Sequence, residues 1–489
     1  MTTEAVSSLH LQTDLFIGGK FVPSASGKRF TTTNPATAEP IADVAEGDLP
    51  DLDQAVAAAR QAFESGPWSA MKPRQRGRIL MKAAELLLSR ADAFGQVETM
   101  DNGKPIFEAA KIDMPAAAEC LSYFGETADK LYGETHPARP DAMLLTLREP
   151  VGVIGAITPW NFPLLQAMWK IAPALALGNT VILKPASATP LTALLFAELL
   201  AEAGLPPGAF NVVPGPGAAI GKAMAEHPGI DKISFTGETE TGKAILRAAA
   251  GTVKRVSMEL GGKSPNVVYA DADLEAAAKG TINAIFYGKG ELCSAGSRLL
   301  VEESAHDALM EKVVERARKM APGDPMNPKT RLGALVSEKQ RDAVAGYVEA
   351  GKREGAKLLA GGNRASVDGK GAFFEATVFD CVTPGMRIAK EEIFGPVLAT
   401  LTFKDETEAV AVGNSTIYGL AAAVWTRDVK KALRTAKALK AGTVWVNTYN
   451  LYDPGLPFGG YKQSGFGRER GFDALREYTQ VKSVWIDLT

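Results

Sequence analysis

The 489-residue sequence predicts an α/β fold with two successive doubly wound parallel-sheet runs and two separate edge strands. Three observations carry this. From residue 151, short apolar strands alternate with helices: VGVIGAI (151–157), TVILK (180–184), FNVV (210–213) and KISF (232–235), each followed by a Pro- or Gly-bearing turn. Strands apolar on both faces with helices between them describe a parallel sheet covered on both sides. A second run of the same kind extends from about 261 to 462. Two further apolar stretches, AMLLTLRE (142–149) and YTQVKSVWIDL (478–488), have no covering helix close by and read as edge strands. The length exceeds what one core accommodates and points to two or three domains.

Taken in order, residues 1–12 lack a basic segment followed by an apolar one, so no signal peptide is expected. Residues 15–22 (LFIGGKFV) predict a hairpin turning at Gly18-Gly19. Helical periodicity covers 52–64 and 75–98. In the second, Ile79, Ala83, Leu86 and Leu87 share a face, with Arg76, Lys82 and Glu85 largely off it. Asp101-Asn102-Gly103-Lys104-Pro105 is read as a loop ending that helix, and 107–132 as helical again. A free apolar edge at 142–149 invites another chain, with pairing inside the chain as the alternative. The most apolar stretch, 151–178, contains Pro159, Pro163, Pro173, Asn161 and Lys170, which suits a buried strand and helix rather than a membrane span. In the second run the strands fall at 266–269, 397–403 and 443–447 and the helices at 273–287 and 304–320. Gly395-Pro396 and Pro457-Phe458-Gly459-Gly460 are loops.

Composition excludes several functions. Hydrophobic residues make up 46% and charged residues 22%, and the net charge of −2 offers no pull on nucleic acid or an anionic membrane. Three cysteines form no C-x-x-C, and four histidines have no metal-ligand spacing. No metal site is expected, and the compartment is expected to be reducing, hence cytoplasmic.

Ligands of such sheets bind outside the carboxyl ends of the strands. There stand Thr158-Pro159-Trp160-Asn161, Lys184-Pro185-Ala186-Ser187, Gly215-Pro216-Gly217 and Thr236-Gly237-Glu238, all candidates for one crevice. The usual dinucleotide fingerprint is missing: Gly215, Gly217 and Gly221 are spaced one residue too long. Gly237 and Gly242 open a helix without the lysine-serine pair of a P-loop. Backbone N–H groups at a helix start can nonetheless hold a pyrophosphate. Elsewhere, Cys293 lies among small residues in Glu291-Leu292-Cys293-Ser294-Ala295-Gly296-Ser297-Arg298. Small neighbours leave the sulfur approachable. A buried hydrophobe and a nucleophile both fit at that point.

The motifs TPWNFP (158–163), KPA (184–186), FTG with its following glycine (235–242), MELGGKSP (258–265), the cysteine octet, EEIFGPV (391–397) and PFGGYKQSGFGRE (457–469) occur in one order, with NPAT (34–37) and DNGKP (101–105) upstream. Together they resemble the NAD(P)-dependent aldehyde dehydrogenase superfamily, in its hydrolytic, non-CoA-acylating branch. The resemblance implies an aldehyde-dehydrogenase-like fold: a cofactor domain (1–130 and 151–260), a catalytic domain (261–462) and an oligomerisation arm (131–150 and 475–489) that makes a homodimer or homotetramer. It implies Cys293 as nucleophile, Asn161 and the Cys293 backbone N–H as oxyanion donors, and Glu259 as the base that hydrolyses the thioester. A glutamate in that apolar strand end should bind its proton tightly, unless it forms a buried salt bridge with Lys170 or Lys263.

For the cofactor, NAD or NADP, the resemblance implies Glu392 on the nicotinamide ribose, Phe394 beside the ring and Lys184 on the adenosine ribose. Thr158, Trp160, Leu260 and the glycines 217, 221, 237 and 242 complete the site. Where strongly NAD-selective members carry a glutamate this chain has Ser187, so NADP is expected to be tolerated. Glu238 replaces the usual small residue near the pyrophosphate and has no account. The substrate pocket is expected from Phe162, Trp169, Tyr287, Leu292, Tyr452 and Phe458, which suits a hydrophobic aliphatic or aromatic aldehyde. A cation–π cage for betaine aldehyde ranks second. No arginine or lysine is evident there for a carboxylate, and Arg298 is unplaced. A CoA-acylating enzyme is disfavoured by Glu259. A silent scaffold on this fold is disfavoured by the presence of Cys293, Asn161 and Glu259. Cys120 and Cys381 are taken as structural.

Overall fold

The computed structural model describes residues 11–489, so the leader expectation at 1–12 falls almost wholly outside them. All four strands expected in the first run form and lie side by side, parallel and buried: Val153–Ile157, Thr180–Lys184, Phe210–Val212 and Lys232–Thr236. They occupy the middle of an eight-stranded sheet. From Val153–Ile157 the chain steps one way through Thr180–Lys184 to Phe210–Val212, then returns to the other side with Lys232–Thr236 and Arg255–Glu259. The order therefore reverses between Val153–Ile157 and Lys232–Thr236, and a crevice opens at such a reversal. The Gly18-Gly19 hairpin closes one edge, with Phe16 opposite Val212. The other edge is closed by Gly465–Phe466, which pairs with Met258 and Glu259. A segment from far along the chain thus lies directly beside the strand that carries the expected base.

The second sheet has seven strands, in the order Lys357–Ala360, Thr377–Asp380, Val397–Phe403, Arg298–Glu302, Pro265–Val268, Ala421–Trp425 and Thr443–Val446. Only the outermost, Lys357–Ala360, runs antiparallel. The helices Leu274–Phe286 and His306–Arg318 match expectation to within a few residues.

Three expectations are corrected. The helix expected over 75–98 is two, Pro73–Ser89 and Ala91–Asn102, hinged at Arg90 (φ −116°, ψ 14°). Its buried face is Leu80, Ala83, Ala84 and Leu87; Ile79 and Leu86 are only half-buried. The helix expected over 107–132 ends at Thr127 and carries a π-turn at Ala109–Asp113. Such a bulge re-aims side chains and often sits beside a functional site. The two expected edge strands pair with each other: Thr479–Asp487 runs antiparallel to Ala142–Pro150, with Glu134–His136 on the far side. The within-chain alternative therefore holds, and it leaves the outer edge of Thr479–Asp487 unpaired among the described residues. Among those residues no helix is long and apolar enough to cross a membrane, and no group of three or more His, Cys, Asp or Glu is placed to hold a metal ion.

Candidate active site

Cys293 sits in a loop that leaves the turn Tyr287–Gly290 and enters the strand Arg298–Glu302. Gly288, Lys289 and Gly290 all have positive φ, which turns the chain sharply into the loop. Beneath it passes the end of the strand Arg255–Glu259, followed by Gly261-Gly262. A Cβ on Gly262 would stand 2.2 Å from the Cys293 carbonyl oxygen, and one on Gly261 would stand 2.2 Å from Glu392 Oε2. The glycine pair lets the end of the strand that carries Glu259 pass close against the Cys293 backbone and Glu392. The Cys293 thiol donates to Glu259 Oε1 across 3.4 Å.

Both groups are buried, and burial is the first cause of their shifts. Desolvation raises the Cys293 thiol well above its ordinary range, and the Glu259 carboxyl beside it adds to the rise. Desolvation likewise raises Glu259 well above the carboxylate range, and the neighbouring Glu469 charge pushes the same way. Glu259 is not in the salt bridge considered from sequence. Lys170 pairs with Glu469 and with Thr236 Oγ1 (2.5 Å). Among the described residues Lys263 Nζ finds no hydrogen-bond partner. Glu469 takes the lysine because the segment that pairs with Met258 and Glu259 carries it to that side of the sheet.

Asn161 donates from Nδ2 to the Glu291 carbonyl oxygen at 2.9 Å. An amide nitrogen carries two protons, so one remains to point elsewhere. The Cys293 backbone N–H also makes no hydrogen bond among the described residues. Replacing Asn161 with alanine is expected to lower kcat about a hundred- to a thousandfold, the usual cost of one oxyanion donor; steady-state rates with unchanged cofactor binding would show it.

The DNGKP turn is more than the loop read from sequence. Gly103 takes φ 81° and ends the helix. Asn102 then donates to the Trp160 carbonyl at 2.7 Å and accepts from Lys289 Nζ at 2.8 Å. Lys289 in turn pairs with Glu291 at 2.6 Å. Lys104 is fully buried between Glu98 and Asp113, and Asp113 accepts from Tyr287 Oη at 2.9 Å. This ionic cluster fixes the backbone on both sides of the Asn161–Cys293 pair. Its only sequence signal was a set of charges inside otherwise apolar helices.

At the order reversal of the first sheet lies a cleft of about 980 Å³. Thr158, Trp160, Lys184 and Ser187 line one side, and Gly217, Gly221, Gly237 and Glu238 the other. No heavy atom lies within 4 Å of where a Cβ on Gly217 would stand, so its backbone faces open space. Lys184 donates to the Pro185 carbonyl at 2.8 Å, and burial lowers it to about 8. The Ser187 hydroxyl donates to the Gly215 carbonyl at 2.8 Å. Glu238 is exposed at the start of the helix Thr239–Ala249 and caps no backbone group. Gly242 and Leu260 stand behind the cleft wall: a Cβ on Gly242 would lie 2.6 Å from the Leu260 side chain. Glu392 and Phe394 are off the cleft wall as well. Phe394 meets Trp160 edge to face at 5.1 Å, and Glu392 accepts the Gly262 N–H at 2.9 Å. Burial raises Glu392 to about 7. A crevice of this size, with a bare glycine backbone and a helix start, fits a dinucleotide.

On the other side of the sulfur is a pocket of about 310 Å³ lined by Cys293 and by Phe162, Trp169, Tyr287, Leu292, Tyr452 and Phe458. Trp169 meets Phe458 at 5.3 Å, and Phe162 stacks on Tyr287 at 6.0 Å, so these rings pack and line at once. One expectation fails here: Arg470 also lines the pocket. Arg298, unplaced from sequence, is buried elsewhere and donates to the carbonyls of Lys263 (2.9 Å) and Gly413 (2.7 Å). Cys120 is buried and pushed up to about 12, whereas Cys381 is exposed; all three cysteines are free.

A cysteine beside a buried carboxyl, set between a dinucleotide-sized cleft and an aromatic pocket, fits the class of aldehyde-oxidising enzymes. The aldehyde dehydrogenase family model matches residues 21–484. Human retinaldehyde dehydrogenase 3 is 49% identical over 97% of this chain and 93% of its own. Betaine aldehyde dehydrogenase from Bacillus subtilis (strain 168) is 47% identical over 96% of each. An NAD+ complex of an aldehyde dehydrogenase from Bacillus cereus superposes with a TM-score of 0.97 at 46% identity, covering 100% of this chain and 99% of that one. The chain belongs to the aldehyde dehydrogenase family.

Proposed function

We propose that this aldehyde dehydrogenase oxidises aldehydes with an apolar body to carboxylic acids, uses NAD, and accepts NADP. Carrying the reading is the position of one sulfur: Cys293 lines the aromatic pocket and stands 3.4 Å from a buried carboxylate. An aldehyde carbon is electron-poor and does not release hydride. Cys293, as the thiolate left once its proton has gone to solvent, adds to the carbonyl carbon and gives a thiohemiacetal oxyanion. The second Asn161 amide proton and the Cys293 backbone N–H hold that oxyanion. A dinucleotide bound in the cleft supplies the hydride acceptor. The carbon is left as a thioester on Cys293. Glu259 then takes a proton from water, which displaces the sulfur and releases the acid. Lys184 and Ser187 would hold the adenosine ribose, with Glu392 and Phe394 toward the nicotinamide end. A reducing cytoplasm suits a free thiol at the reaction centre. The unpaired edge of Thr479–Asp487, with Val481 and Trp485 exposed, suits a dimer or tetramer.

The test is the initial rate of reduced-nicotinamide formation with an aliphatic, an aromatic and a betaine-type aldehyde, each with NAD and NADP. Turnover of the apolar aldehydes is expected, and a folded protein that reduces neither cofactor with any of them would sink the reading. The betaine alternative needs the ring faces of Trp169 and Tyr452 for its quaternary ammonium. Arg470 already covers both at 5.2 Å and would repel a second cation, so betaine aldehyde is expected to be the poorest of the three.

Ser187 carries the cofactor expectation. A glutamate in its place would set a carboxylate beside a 2′-phosphate. Ser187→Glu is therefore expected to lower kcat/KM for NADP relative to NAD about tenfold or more. An unchanged ratio would mean that Ser187 does not face the ribose.

A further inference from the structure

Among the described residues Arg470 is the one cationic side chain lining the substrate pocket, and the reaction above leaves it without work. Only 6% of it is exposed. Its guanidinium makes no hydrogen bond and no ion pair among the described residues, and its Nε is buried without a partner. It is held instead by two rings of the pocket, lying 5.2 Å from the centroid of Trp169 and 5.2 Å from that of Tyr452. Ring faces stabilise a cation but satisfy none of its N–H donors. The nearby carboxylates do not do so either. Glu119 and Asp453 act on Arg470 only at a distance and are exposed. Asp113, on the pocket wall, is already paired with Lys104 and accepts from Tyr287. A buried guanidinium with idle donors is costly unless something supplies an acceptor.

We propose that Arg470 is a carboxylate-binding site within the substrate pocket, and that the preferred substrates are aldehydes carrying a carboxylate at the end remote from the carbonyl. This rests on the reading that the chain oxidises aldehydes at Cys293. Cys293 and Arg470 line the same pocket, together with the aromatic rings Trp169 and Tyr452 that Arg470 lies against. The planar fork of a guanidinium matches a carboxylate in two parallel N–H···O bonds. Contact with the rings of Trp169 and Tyr452 holds the guanidinium in place before substrate arrives, which limits the ordering cost of binding.

The experiment compares a chain-length series of ω-carboxy aldehydes with their methyl esters, by kcat/KM with NAD, in the wild type, Arg470→Leu and Arg470→Lys. At the best chain length the wild type is expected to prefer the acid over its ester about ten- to a hundredfold. That ratio, taken within each enzyme, is expected to collapse to near unity or below in Arg470→Leu and to recover in part in Arg470→Lys. A wild type that favours the ester at every length, or a ratio that survives in Arg470→Leu, overturns the carboxylate site while leaving aldehyde oxidation standing. Oxidation of neither partner overturns both. Should Arg470→Leu not fold, the wild type and the lysine variant still decide through competition: dicarboxylates of matching length should inhibit ester oxidation competitively in the wild type and several-fold less in Arg470→Lys. Equal or absent inhibition also overturns the proposal.

Discussion

Replacing Cys293 with alanine is expected to abolish aldehyde oxidation while leaving dinucleotide binding intact. No other group can take the role of the sulfur. Ser294 is committed to Tyr452 Oη at 2.7 Å, and Cys120 is buried with its thiol pushed up to about 12. Without an adduct on the carbonyl carbon there is no oxyanion to expel hydride, so rate falls at the first chemical step rather than through KM. The side chain is small and already lines a cavity, so the substitution should cost about 1 kcal/mol of stability or less. Cofactor titration by fluorescence and a thermal melt, both close to wild type, would separate lost chemistry from lost fold. Cys293→Ser should be nearly as inert, because an alcohol is far harder to ionise than a thiol in a site whose burial already raises the thiol. Appreciable turnover by the alanine variant would remove the covalent mechanism.

How much of this was legible in the sequence follows from the range of the interactions. The central strands were readable because burial on both faces leaves apolar runs such as Val181-Ile182-Leu183 in their middles. Cys293, Asn161 and Glu259 were legible through their motifs, and the six pocket residues through their aromatic or apolar character. The break at Arg90 was not, since Ser89-Arg90-Ala91 contains neither glycine nor proline. The pairing of Lys170 with Glu469 spans 299 residues, and local pattern carries no information at that range. Arg470 was missed for a related reason. It follows a glycine-rich loop, where an arginine ordinarily points to solvent, and only the return of that loop beside Glu259 turns it into the pocket. The DNGKP turn was read as a loop because the partners of Lys104 and Asn102, namely Asp113 and Lys289, come from elements that only tertiary packing brings near.

Glu259→Gln is expected to uncouple the two halves of the reaction. If the carboxylate serves mainly the second half, the variant still forms reduced cofactor once per active site and then stalls as the thioester. The steady-state rate should then fall about a hundred- to ten-thousandfold. Rapid mixing would show the burst, and intact-protein mass would show the acyl group on Cys293. A loss of the burst itself would instead place Glu259 in making the thiolate, a role its 3.4 Å contact with the sulfur also permits. The pH dependence gives an independent handle. Burial and the Glu469 charge raise Glu259 well above the carboxylate range, so at low pH it carries a proton and cannot accept one. Wild-type kcat should therefore climb as pH rises through that raised value, and the glutamine variant should lose the limb. Stability must move the opposite way. The folded state holds this proton more tightly than the unfolded chain, so stability is full below the ordinary glutamate value and declines as pH rises through the raised one. Glutamine cannot ionise and escapes that decline. The variant should thus be more resistant to heat than the wild type at the pH where the wild type is most active, with the difference vanishing in acid. Opposed slopes of activity and stability at one side chain are the mark of a base kept buried for its chemistry rather than for the fold.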